Sequence, residues 1–286
     1  MTQQQTALRY DPKAAYEVDV RDVEYRNDGK RAWLARVFQP RGAGPFPTLI
    51  DVHGGAWANG DRLMNESSDL ALAASGLLVA AIDFRTSLDA PHPAALQDIN
   101  YATRWLKARA REFNGAPERL GGIGWSSGGH QVMLSAMRPR EYAAIPLPEA
   151  ADVDARLAYV VMGWPVIDPL ARYRLAQERG NQELQARHLA YFGDEAGMIE
   201  ASPPHIVRRG EAVDLPPALI VQGAADESLT RMMAEDFVEA YSLAGGVIEL
   251  GKYPGAPHGF LREPGPNSDR ALALIKSFIQ RQLEAA

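Results

Sequence analysis

Two kinds of hydrophobic pattern alternate along the chain. From Tyr16 to Val23 the run YEVDVRDV alternates apolar and polar positions, and AWLARVFQP at 32–40 does the same. The turn-forming Asn27-Asp28-Gly29 stands between them, so the pair predicts a β-hairpin with one solvated face. Beyond it the strands change character. TLIDV (48–52), LLVAAID (77–83), AYVVM (158–162) and PALIVQ (217–222) are short continuous apolar runs, as expected of strands covered on both faces in a parallel sheet. VIELGKY (247–253) reads as the last strand. Helical spacing of apolar positions fills the intervals: 66–75, the stretch AALQDINYATRWLKARAREF from Ala94, 229–243, and 269–283 with Leu272, Ile275, Phe278 and Ile279 on one face. Strands alternating with helices predict an α/β fold, a mostly parallel central sheet with helices on both faces, whose ligands bind at the C-terminal strand edge.

Two stretches leave this pattern. From about Asp168 to Glu211 the alternation stops, and two or three helical pieces follow one another, broken by glycine and by Pro203-Pro204. This predicts an excursion from the sheet, a lid or cap over residues 168–211, within a chain that otherwise reads as a single domain over 1–286. Residues 1 to about 15, with Pro12 limiting helix, predict a loosely held arm.

Composition narrows the partners. The 286 residues are 46% hydrophobic, ample for a core, and the formal net charge of −6 with no basic run argues against a nucleic-acid partner. There are no cysteines, which excludes disulfides and thiolate metal sites. The polar N-terminus lacks the apolar core of a secretion signal, and no apolar stretch approaches the roughly 18 residues of a membrane span. The expectation is a soluble cytoplasmic protein acting on a small molecule, with no membrane partner. A homo-oligomer is compatible with the sequence, which does not fix the assembly.

The candidate chemistry lies in loops that each follow a predicted strand. Gly124-Trp125-Ser126-Ser127-Gly128 is a G-x-S-x-G pentapeptide between an apolar, Gly-rich run and the helix-compatible QVMLSAM. A sharp strand-to-helix turn would expose the Ser126 hydroxyl, and only very small neighbours fit such a turn. The following helix would aim its unpaired N–H groups, that of Ser127 first, at developing negative charge. His53-Gly54-Gly55-Ala56-Trp57 follows TLIDV, and its two glycines would let inward-facing N–H groups approach a ligand; the other reading is a plain Gly-Gly turn beside a buried Trp57. A nucleophilic serine needs a histidine as base and a carboxylate to orient it. Among six histidines His258, between Gly and Pro residues in a late post-strand loop, is the best-placed base, while His92, His130, His188 and His205 read as structural or exposed and His53 as a support for its own loop. Asp226 ends a strand and precedes His258; Glu227 is adjacent, and Asp226 could also cap the helix after it. Trp57, Trp125, Trp164, Phe260 and Tyr191 either line an aromatic substrate mouth or pack in the core and lid.

Taken together, these motifs resemble the α/β-hydrolase esterase/lipase family, in particular the hormone-sensitive-lipase-like carboxylesterases and the kynurenine formamidases. HGGAW (53–57) is similar to the HGGG or HGGxW oxyanion loop, AIDFRTSLDAPHPAALQDINYATRWL (81–106) to the stretch the esterases write as D-Y-R-L-A-P-E-H-x-x-P-A-A-L-x-D, GWSSGG to the elbow GDSAGG, VQGAAD to the acid strand and PHGF to the histidine loop. The resemblance covers about Pro45 to the C-terminus. It implies an α/β-hydrolase fold, a Ser126–Asp226–His258 triad, an oxyanion hole from Gly54, Gly55, Ala56 and Ser127, and hydrolysis of small esters with no metal or organic cofactor. An amidase or formamidase on the same triad is the alternative. Two departures are visible: Ala56 replaces a third glycine, which favours the HGGxW subgroup, and Trp125 replaces the acidic residue common before the nucleophile. The N-terminal region also lacks a convincing two-helix cap.

Overall fold

The computed structural model describes residues 10–285, in which eight strands form one sheet in the order β1-β2-β4-β3-β5-β6-β7-β8. The hairpin comes first: β1 (Val18–Asn27) pairs antiparallel with β2 (Ala32–Pro40), and β2 pairs antiparallel with β4 (Leu78–Ile82). From there β4, β3 (Phe46–Val52), β5 (Gly115–Trp125), β6 (Val160–Gly163), β7 (Ala218–Gly223) and β8 (Ile248–Tyr253) run parallel. The continuous apolar runs occupy the middle of this sheet, where β3, β4, β6 and β7 are buried at every position. Charged β1 is exposed along one edge, where side chains such as Asp19, Arg21 and Asp22 discourage further strand pairing.

Burial on both faces requires two helical layers. One apolar cluster joins the sheet to α2 (Ala94–Arg109), α3 (Ser127–Met137) and α8 (Met233–Leu243) through residues such as Ile99, Leu106, Val132 and Phe237. The other places Leu72 of α1 (Glu66–Ala73) and Ile275, Phe278 and Ile279 of α9 (Pro266–Glu284) against Leu49, Val79, Ile123 and Val221. Residues 49 and 50 fall into opposite clusters because successive side chains on a strand face opposite sides. No helix among the described residues is long and apolar enough to cross a membrane.

Between β6 and β7 the chain forms four helices rather than two or three: α4 (Pro169–Glu178), α5 (Gln182–Phe192), α6 (Glu195–Glu200) and α7 (Pro203–Arg208). Asp168, Asn181 and Asp194 cap the first three by accepting from the N–H groups of Ala171, Leu184 and Gly197. Tyr173, Tyr191, Phe192, Met198 and Ile206 of this segment share the apolar cluster of the sheet face beneath them. The expected N-terminal arm lies outside the described residues up to position 9. From Tyr10 onward the chain is held, since the Tyr10 hydroxyl meets Ser75 Oγ at 2.9 Å and Tyr16 N–H donates to the Ala74 carbonyl. The helix expected from 229 starts only at Met233.

Sheet topology fixes where a site can form. After β3 the chain moves outward to β4 and then returns to β5 on the other side, so the C-terminal ends of β3 and β5 part at a switch point and leave a crevice. The loop after β3 carries His53 to Trp57, and the turn after β5 carries Ser126.

Candidate active site

Ser126 occupies the turn between β5 and α3 with φ 55° and ψ −119°, a conformation rarely adopted by a non-glycine residue. Backbone bonds hold it there: its N–H donates to the Gly163 carbonyl on β6, and its carbonyl accepts from Gly129 and Val166. The flanking glycines are required by space. A Cβ on Gly124 would lie 2.4 Å from the Gly128 carbonyl oxygen, and one on Gly128 would lie 2.1 Å from that of Val52.

From Ser126 the hydrogen bonds run outward across two further loops. Its Oγ lies 3.0 Å from His258 Nε2, and His258 Nδ1 lies 2.8 Å from Asp226 Oδ2. A carboxylate accepting at Nδ1–H favours the tautomer that leaves the Nε2 lone pair facing the serine hydroxyl. The loops after β7 and β8 are tied together, with Ala224 and Ala225 N–H groups donating to the carbonyls of Tyr253 and Ala256. Burial alone would raise the Asp226 carboxyl. The bond from His258 and its charge, then the Gln222 side-chain amide and the Ser228 N–H, outweigh that and hold it below the usual carboxylate value. Asp226 does not cap α8, which begins seven residues later. Adjacent Glu227 is exposed.

The His53–Trp57 loop closes the other side. Gly55, Ala56 and Trp57 all have positive φ, of 108°, 52° and 60°. Gly55 can only be glycine, because a Cβ there would lie 1.9 Å from the Asn59 carbonyl oxygen. Among the described residues, the backbone N–H groups of Gly55, Ala56 and Ser127 have no hydrogen-bond partner. His53 Nδ1 is 2.8 Å from the Gly54 carbonyl, and its ring stacks on Phe84 with centroids 4.1 Å apart. Burial lowers its pKa, which keeps the imidazole a neutral prop for the loop.

The family to which this architecture belongs is decided by a sequence model named BD-FAE, which matches residues 37–241 and so spans β2 through α8. The chain belongs to the BD-FAE family, among the α/β-hydrolase esterases. It is 32% identical over 232 residues to esterase LipC of Mycobacterium tuberculosis, a match covering 76% of this chain and 53% of LipC, so the chain spans about half the length of that relative. In structure it is similar to esterase B of Lactobacillus Rhamnosis, with a TM-score of 0.78, 20% identity and coverage of 96% of this chain and 89% of the other. It is likewise similar to the esterase Est2 of Thermogutta terrifontis, with a TM-score of 0.72, 23% identity and 94% of each chain covered. At these identities the structural likeness establishes the α/β-hydrolase fold.

Within this BD-FAE chain the aromatic residues differ from an aromatic mouth. Trp57, Trp125, Trp164 and Phe260 are each no more than 7% exposed, and Tyr191 is fully buried. They sit at strand ends, as the sequence suggests, but their rings point into the two cores. Trp164 and Phe260 pack behind His258, with the Trp164 ring centroid 6.1 Å from the imidazole and 5.4 Å from Phe260. Trp57 stacks on Tyr191, and its indole N–H donates to His130 Nδ1. His130 and His188 lie in this aromatic cage, where burial pushes them down to about 3 and about 4. They are structural, as expected, and fully enclosed.

Trp125, the residue before Ser126, donates from Nε1 to Asp51 Oδ1 at 2.6 Å, beneath the Ser126 turn. Asn65 donates to the other Asp51 oxygen, and Asp69 lies close by with neither oxygen partnered. Burial pushes both carboxyls up, and the charge of Asp51 adds to the rise at Asp69. Sequence reading missed this buried acidic pair, although an Asp inside the apolar run TLIDV was a visible signal. It also missed Gln222, four residues before Asp226, as the second donor to the acid.

Proposed function

We propose that the chain hydrolyses carboxylic esters of small substrates through an acyl-enzyme on Ser126. The observation that carries this reading is the continuous relay from Asp226 through His258 to Ser126, with links of 2.8 and 3.0 Å, ending beside three unpaired N–H groups. His258 Nε2 takes the hydroxyl proton as Ser126 Oγ bonds to the acyl carbon, and the carbonyl electron pair moves onto oxygen. The N–H groups of Gly55, Ala56 and Ser127 stabilise that oxyanion, and Gly54 keeps the loop close; one such donor is worth about 10²–10³ in rate. On collapse the bond to the alcohol oxygen breaks, and the alcohol leaves with the proton from His258. Water then attacks the acyl carbon, gives its proton to His258, and the acid departs as Ser126 Oγ recovers that proton.

Supporting observations come from chemistry and from relatives. Asp226, held ionised, stabilises the imidazolium that forms in each half-reaction. The relatives LipC, Est2 and esterase B are named esterases. We read the 168–211 helices as a lid over this edge; with Ala56, Glu227 and Ser228 they line an open cleft of about 470 Å³ beside the oxyanion and acid loops, of a size that holds a small ligand. The test is turnover of p-nitrophenyl acetate, butyrate and longer esters by the native chain and by Ser126→Ala. Activity confined to short chains and reduced to background by the substitution supports the reading; a variant that keeps more than a few per cent of the native rate overturns it.

A further inference from the structure

One charged group beside the site has no role in the chemistry above. Arg172 on α4 is only 7% exposed, and among the described residues its Nε and Nη1 have no hydrogen-bond partner. Its guanidinium lies over the Trp57 ring, 5.9 Å from the centroid, which fixes where the fork can sit. Burial pushes it down to about 10, against the pull of Asp226 and with the charge of Arg187, so it stays cationic at neutral pH. Burying a guanidinium while leaving its N–H groups unmade costs free energy that a carboxylate of matching geometry would recover.

Its surroundings give the missing partner a place. Arg172 lines the 470 Å³ cleft together with Ala56 of the loop after β3 and with Glu227 and Ser228, which follow Asp226. The cleft thus joins the proposed oxyanion loop to the acid loop. The two other arginines that line it are engaged, Arg187 with the Glu183 carboxylate and Arg179 with the Glu227 carbonyl. Asp226 is occupied by His258, Gln222 and Ser228, so it is not a free counter-ion for Arg172. Arg172 lines that cleft while its Nε and Nη1 donors stay buried and unmade, and a planar guanidinium matches a carboxylate, which it can bind through two parallel hydrogen bonds once the carboxylate reaches them.

We propose that Arg172 recognises a carboxylate on the substrate, so that the preferred esters carry a free carboxylate on their acyl or their alcohol part. This rests on the hydrolase reading and names the substrate class for the same site. The test compares, at low and fixed ionic strength, mono-p-nitrophenyl glutarate with p-nitrophenyl valerate, and 4-(carboxymethyl)phenyl butyrate with its 4-(carbamoylmethyl)phenyl counterpart. The native chain is expected to prefer one of the two anionic esters over its neutral partner by about tenfold or more in kcat/KM, and which pair shows it tells the side on which the carboxylate binds. Arg172→Met is expected to lower that anionic-to-neutral ratio by about tenfold or more, to near one, and Arg172→Lys by less, because a lysine keeps the charge without the fork. No preference in either pair, or a preference that survives Arg172→Met, overturns the inference. Should the methionine variant not fold, the native comparison and the lysine variant decide on the same terms. Ser126-dependent hydrolysis of the neutral esters without anion preference sinks this inference alone, whereas no Ser126-dependent hydrolysis of any of the four esters sinks the hydrolase reading beneath it.

Discussion

Gly54 packs against Ser126 so closely that a Cβ on the glycine would lie 3.2 Å from the serine Cβ and 2.7 Å from the Trp125 carbonyl oxygen. The two loops therefore touch through backbone. The N–H groups that would meet the oxyanion are set by this contact together with the His53 imidazole at the Gly54 carbonyl and the Ser127 hydroxyl at the Trp57 N–H.

Gly54→Ala should accordingly act on rate more than on fold. The added methyl must push the loop away from the Ser126 turn by several tenths of an ångström, and misplacement on that scale costs up to about 10² in kcat. Steady-state kinetics with a thermal melt checks this. Full activity in a folded Gly54→Ala variant would mean that the loop does not position the oxyanion. Gly55→Ala should be worse on both counts, because the new Cβ would meet the Asn59 carbonyl at 1.9 Å in a backbone with φ 108°.

Asp226→Asn tests the orienting carboxylate. An amide can present its N–H₂ to His258 Nδ1 and trap the wrong tautomer, and the expected loss in kcat is about 10⁴ with little change in KM. Glu227→Gln, one residue on and exposed, should cost far less. Comparable losses for the two would remove Asp226 from its assigned role.

The strands, the helices that flank the sheet and the order of Ser126, Asp226 and His258 along the chain were legible in the sequence, for physical reasons. Continuous apolar runs such as TLIDV and PALIVQ can only be satisfied by cover on both faces, and the candidate site residues stand in loops just after strands. The glycines at 124 and 128 carry their own steric explanation. Side-chain direction was another matter. Trp125 and Trp164 lie near the site in sequence, yet both rings turn into the core, Trp125 at the last position of β5 and Trp164 just past β6 with a φ of 37°. Arg172 shares a weakly patterned helix with Arg174, where nothing in the spacing marks either arginine as buried, and only the packing of α4 over Trp57 shows that Arg172 is. Gln222 meets Asp226 because the chain turns back on itself after β7, a relationship no periodicity encodes.

Asp69 supplies a stability prediction. Burial, with the Asp51 charge added, raises its folded-state value above the unfolded reference of about 3.9, so the native state binds the proton more tightly. The sign follows directly: the stability tied to that proton is present below about pH 4 and is lost as pH rises through the folded value. Asp69→Asn removes the titration while keeping the shape. Its stability relative to the native chain should therefore be near zero at pH 4 and grow by up to about 1.4 kcal/mol per pH unit above it. Urea unfolding at pH 4, 6 and 8 measures this, and an advantage that is flat or shrinks with pH contradicts it.

The central claim is that Ser126 is the nucleophile. It is tested most directly by incubating the purified protein with a p-nitrophenyl organophosphonate and mapping the adduct by peptide mass spectrometry. The account predicts one equivalent of p-nitrophenol released, a single modification at Ser126, parallel loss of ester hydrolysis, and no labelling of Ser126→Ala. Modification at another residue, or hydrolysis that persists in fully labelled protein, would contradict it.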